Sequence, residues 1–147
     1  MDRAEEIFVE LDAILPQHVP GRGHRAEVAL ARGQLNLAED LITPLLEISD
    51  DPEYRATYAE ILTARGETEA AASAAESAAA CYELLLAQRP EAYADHAAAF
   101  FMRIGNRPQL AVDLASANFK LRDTPRSRKL LDRALHNAQQ FSLSEAA

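Results

Sequence analysis

Three glycines, Gly33, Gly66 and Gly105, each separate two stretches that carry the apolar spacing of an α-helix. In "LARGQLNLAEDL", "LTARGETEAAAS" and "FMRIGNRPQLAV" the glycine can adopt the left-handed conformation that ends one helix and turns the chain back into the next. The intervals are 33 and 39 residues, a period that marks stacked helical hairpins. No stretch alternates apolar and polar residues with the period of a strand, so the expected class is all-α.

Helices are expected near 2–15, 22–32, 34–48, 52–65, 67–89, 91–104, 107–121 and 124–140. Ile7, Phe8, Leu11, Ile14 and Leu15 make one face of the first, with Asp2 as its N-cap and Pro16 as its stop. Residues 16–23, with two prolines and two glycines, read as a connector. The six helices of 22–121 form three pairs, and 124–140 is left over as a capping helix. There Leu130, Leu131, Ala134 and Leu135 turn inward, while Arg126, Lys129 and Arg133 face water. Residues 141–147 read as a flexible tail. Pro44 falls inside the helix 34–48, removes a hydrogen bond to Asp40 and should kink it.

The pattern Ala-x-Gly with a small residue about five positions on, closed by a proline, resembles the tetratricopeptide repeat family. Gly33 is followed by Ala38 and Pro52, Gly66 by Ala71 and Ala78-Ala79, and Gly105 by Leu110-Ala111, Ala117 and a late Pro125. The match covers roughly residues 22–140, and residues 89–115 look like segments of uncharacterised bacterial repeat proteins. The resemblance implies a right-handed superhelical array of antiparallel helix pairs, a tetratricopeptide-like α-solenoid in one domain. The chain departs from the family in lacking Trp and most large aromatics, and in a helix 67–89 that runs two turns long.

The family uses the first helix of each pair to line a concave groove for an extended peptide or a partner helix. Carried over here, the partner-binding positions are His24 and Glu27, then Thr57 and Glu60, then Asp95, His96, Met102 and Arg103. A branch of the family clamps terminal carboxylates with Lys, Arg and Asn. The equivalent positions here are Gly23, Glu27, Ala56, Glu60, Asp95 and Ala99, so an acidic terminus would meet like charge. A neutral-to-basic segment is the expected occupant.

Charge is divided along the chain. The net charge is −8, which disfavours nucleic acid as a partner. Residues 1–76 hold 16 acidic and 6 basic side chains, whereas 77–147 hold 7 and 9. Lys120, Arg122, Arg126, Arg128, Lys129 and Arg133 form a basic patch that suits an acidic partner or the acidic half of another copy. The ordinary reading of such a run is a solvated face.

Little in the chain points to chemistry. His18, His24, His96 and His136 form no HExxH and no i, i+4 pair, so no metal is expected. "PGRGHR" lacks the strand, the glycine spacing and the Lys-Ser/Thr of a phosphate loop. Cys81 has no flanking base, and no Gly-x-Ser-x-Gly occurs. Asp95 and His96 are adjacent and so diverge by about 100° on a helix, which leaves Asp95 badly placed to orient the ring. No enzyme activity and no cofactor are expected. Acids interrupt the apolar pairs of "MDRAEEIFVELDAILP", so no targeting or membrane segment is seen and the cytoplasm is the default. The leading expectation is a non-enzymatic adaptor, scaffold or assembly factor that binds a protein or peptide. The alternative is a structural protein that self-associates, acidic N-terminal half to basic C-terminal helix, as a homo-oligomer.

Overall fold

The computed structural model describes residues 2–15 and 18–145. Eight helices follow one another: α1 (Asp2–Ile14), α2 (Val19–Ala31), α3 (Leu35–Ile48), α4 (Pro52–Arg65), α5 (Thr68–Gln88), α6 (Pro90–Phe101), α7 (Pro108–Leu121) and α8 (Pro125–Glu145). No strand occurs among the described residues. The chain divides into two compact units, residues 1–77 and 78–147, with the division falling inside α5.

Short-range signals set most helix ends. Prolines open α4, α6, α7 and α8 at the first turn, where a missing N–H costs nothing. Asp51 caps α4 by accepting from the Glu53 N–H at 3.0 Å. At α8, Thr124 and Ser127 cap reciprocally: Thr124 Oγ1 accepts from the Ser127 N–H at 3.1 Å, and Ser127 Oγ accepts from the Thr124 N–H at 3.0 Å. Ser127 is also hydrogen-bonded to the Arg122 carbonyl.

Two of the three glycine joints share one geometry. Gly33 and Gly66 have φ of 72° and 79°, and each is followed by a bond back over the last helical turn, Gln34 N–H to Ala29 O at 2.9 Å and Glu67 N–H to Leu62 O at 3.0 Å. The third joint differs from expectation. Asn106, at φ 46°, takes the left-handed position, and Gly105 is needed for space instead. A Cβ there would lie 2.6 Å from Phe100 Cε1 and 2.9 Å from Phe101 Cδ1.

In the first unit, consecutive helices pack in order: α1 on α2, α2 on α3 and α3 on α4, with α2 also touching α4. Its core joins Ala26, Ala29, Ala38, Leu41, Ile42, Leu45, Tyr54 and Ile61. The small residues let the helices approach closely. Arg65 ties the end of α4 to α3, reaching Glu39 at 2.6 Å and Asn36 at 2.8 Å. α3 runs unbroken through Pro44, whose ring is exposed.

The expected connector is mostly helix. Pro16 and Gln17 lie outside the described residues, but 19–23 belong to α2, and its N-cap His18 accepts from the Gly21 N–H at 3.0 Å. Gly21 and Gly23 are buried contact points and not loop residues. A Cβ on Gly21 would sit 2.8 Å from Leu11 Cδ2, and one on Gly23 would overlap the Tyr54 ring. These glycines bring α1 and α4 against α2.

The second unit holds the last part of α5 with α6, α7 and α8; α6 packs on α7, α7 on α8, and α6 also on α8. Its core is aromatic at one end. The Tyr82 and Phe100 ring centres are 5.0 Å apart, Phe100 meets Phe101 edge-on at 5.0 Å, and the Arg107 guanidinium lies 5.3 Å over Phe101. Arg107 also pairs with Glu83. Small residues Ala94, Ala97, Ala98, Ala111, Ala115 and Ala134 fill the rest.

Three more expectations change. Helix α1 begins at Asp2. Of the expected apolar face of α1, Ile7, Ile14 and Leu15 are exposed, and Phe8 and Leu11 are half-buried; among the described residues of its unit α1 packs on α2. Leu135 is 50% exposed, although Ala134 is buried and Leu130 and Leu131 half-buried as expected. Residues 141–145, expected as tail, continue α8.

Candidate functional site

Of the expected binding residues, His24, Glu27, Thr57 and Glu60 belong to the first unit and Asp95, His96, Met102 and Arg103 to the second. In the first, α2 presents His24 and Glu27, both exposed and joined Nδ1 to Oε2 at 3.1 Å, with the His24 ring 5.6 Å from Phe8. Glu60 on α4 is half-buried. Thr57 is not a surface residue at all: α4 packs against both α2 and α3, and Thr57 is 7% exposed. Tyr54, beside them in the core, has a phenol shifted above its usual range by burial, then by the carboxylates of Asp51, Glu53 and Glu27. The first unit thus offers an acidic surface over a buried tyrosine.

In the second unit, Asp95 is half-buried and His96 exposed, with Asp95 Oδ1 accepting from the His96 N–H at 3.0 Å and 3.7 Å from its ring nitrogen. That oxygen bonds the neighbouring backbone, so the pair has the geometry of a helix surface and not of a catalytic dyad. The end of α6 is different. Met102 caps the helix and is 7% exposed, and Arg103 follows it with Nε donating to the Ala99 carbonyl at 3.3 Å.

Here the groove positions and the basic patch converge. Met102 and Arg103 line a cleft of about 470 Å³ with Lys129, Asp132, Arg133, His136, Asn137 and Gln140 of α8. The two sequence-derived sets, read separately, meet on one surface because α8 folds back along α6. Arg103, Lys129 and Arg133 surround the Met102 thioether and outnumber the one carboxylate of the lining, Asp132. Long alkyl stems of this kind cover apolar surface while keeping their charged ends in water. An adjoining hollow of about 440 Å³ holds Asp123, Thr124, Pro125 and Arg128 and shares Lys129 and Asp132.

The rest of the basic patch is dispersed. Arg122 donates to the Glu91 carbonyl at 2.9 Å, tying the end of α7 to the start of α6. Arg128 pairs with Asp123 at 2.9 Å and lies 5.6 Å over the Phe119 ring. Lys120 and Arg126 are exposed outside the cleft. Asp132, His136, Asn137 and Gln140 lie outside the binding residues expected from the sequence. Their signal was present, since 129, 132, 133, 136, 137 and 140 fall at i, i+3, i+4, i+7, i+8 and i+11, one helical stripe.

No group of three or more His, Cys, Asp and Glu side chains that could hold a metal occurs among the described residues, and no described helix is long and apolar enough to cross a membrane. Comparison with protein-family models, with curated proteins and with solved structures found no match to this chain.

Proposed function

We propose that this protein is a non-enzymatic interaction module that docks a helical segment of another protein in the cleft between α6 and α8. The observation that carries the reading is the convergence of Met102 and Arg103 with Lys129, Arg133 and His136 on one concave surface. Such a surface suits an amphipathic helix laid in a groove, with apolar anchors against Met102 and acidic side chains at the cationic rim. The neutral-to-basic occupant implied by Glu27, Glu60 and Asp95 gives way, at this cleft, to an acidic one. The scaffold is read as a short solenoid of antiparallel hairpins like those of the tetratricopeptide repeat family. Support comes from the like joints at Gly33 and Gly66 and from the contacts of α2 with α4 and of α6 with α8.

The test uses two synthetic amphipathic peptides with the same apolar residues, one flanked by Glu and the other by Lys. Fluorescence anisotropy is expected to show binding of the acidic peptide and its loss in Lys129→Glu/Arg133→Glu. Tighter binding of the basic peptide would overturn the proposal.

Self-association is the second reading, favoured by the charge division between units. Residues 1–77 carry 16 acidic and 6 basic side chains, and 78–147 carry 7 and 9.

A further inference from the structure

We propose that the cleft between α6 and α8 receives helix α1 of a second copy of the chain. The inference rests on the reading of that cleft as a docking surface and names its occupant.

Helix α1 packs one side on α2 and, among the described residues, leaves another exposed. Phe8 lies against His24, and Leu11 sits where the missing Cβ of Gly21 leaves room. Facing away, Ile7 is 54% and Ile14 75% exposed, and Val9 and Leu15 are exposed as well. Ile7 and Ile14 are seven residues apart and so fall on one stripe, the spacing with which a helix anchors itself in a groove. Glu6 and Glu10, both exposed, border that stripe. By sequence α1 holds five acidic residues against one arginine. An exposed apolar stripe bordered by carboxylates is complementary to a surface that is cationic and partly apolar.

The cleft has those properties. Met102 and the alkyl stems of Lys129 and Arg133 meet the two isoleucines, while the charged ends meet Glu6 and Glu10. Each copy presents one α1 stripe and one cleft, so the contact joins unlike surfaces and repeats until a ring closes or a chain grows. Screening by salt weakens it.

Sedimentation velocity of the full chain at rising concentration, at low and at high salt, tests the proposal. Species larger than a monomer are expected at low salt, and fewer at high salt. Glu6→Lys/Glu10→Lys and Lys129→Glu/Arg133→Glu, each checked for helicity by circular dichroism, should each weaken association by at least about tenfold, as like charges come to face each other. An equimolar mixture of the two variants should regain the larger species, because reversed stripe then meets reversed cleft and native meets native. Ile7→Asn/Ile14→Asn alters only exposed positions and should also give monomers. A chain that stays monomeric, association indifferent to these changes, or a mixture that does not recover overturns the inference. If a monomeric chain still takes the acidic peptide described above, the docking reading stands and only this occupant fails. If neither occurs, both fail.

Discussion

The two units are built by the same helix-pairing rules and filled with different materials. The first closes over Ala, Leu and Ile with the edge of Tyr54, turns at Gly33 and Gly66, and carries a strongly acidic surface. The second closes over Tyr82, Phe100 and Phe101, turns at Asn106, and carries the cationic cleft. The contrast separates scaffold from surface. Hairpin geometry depends on small residues at helix contacts and on a left-handed residue at the joints after α2, α4 and α6, and many cores satisfy it. The sign and shape of the surface are chosen independently of that geometry, and they differ between the units.

The sharpest way to break the comparison is to remove an aromatic from the second core. Phe100→Ala should cost about 3–5 kcal/mol. Amide hydrogen exchange should show lost protection over 94–101 and 111–118, with 38–62 largely retained. Equal loss throughout would mean that the two units unfold as one. In the first unit, Gly23→Ala pushes a methyl into the Tyr54 ring and should cost about 1–3 kcal/mol in denaturant unfolding. Gly33→Ala meets nothing in space and pays only for its positive φ, about 1–2 kcal/mol. A Gly33 variant hurt more than the Gly23 variant would reverse the assignment of the two glycines to turning and to packing.

What the sequence made legible follows the range of the signals. Helices 52–65 and 107–121 were readable nearly to the residue, since Asp51-Pro52, Gly66 and Pro108 act on their immediate neighbours. Gly21 and Gly23 misled because a glycine that lets two helices touch looks the same, in one dimension, as a glycine that lets a loop bend. At the third joint the left-handed residue is Asn106, while Gly105 leaves room for the Phe100 and Phe101 rings, and the sequence does not distinguish these two uses. The cleft was half legible. Arg103 and Lys129 stood out singly, but their meeting depends on α8 returning to α6, which no local pattern encodes.

Smaller effects sharpen the contrast further. Ser127→Ala removes the reciprocal cap of α8 and should cost about 1 kcal/mol, lowering the melting temperature and fraying the cleft-bearing helix. The Tyr54 phenol titrates above its usual value in the folded chain, so below about pH 10 its stabilising contribution is fully present. As pH rises past that point the unfolded chain loses the proton first, and the contribution is lost through the folded pKa. Tyr54→Phe should therefore show a shallower fall in melting temperature on the alkaline side than the parent. An identical alkaline fall would remove Tyr54 from the account.

The central claim is that binding resides on the cationic second unit and not on the acidic first. Two-dimensional NMR of the labelled full chain, titrated with the acidic amphipathic peptide, tests it most directly. Shifts should concentrate at Met102, Arg103 and the stripe Lys129–Gln140 and be absent from Lys129→Glu/Arg133→Glu. Shifts centred on His24, Glu27 and Glu60 would contradict it.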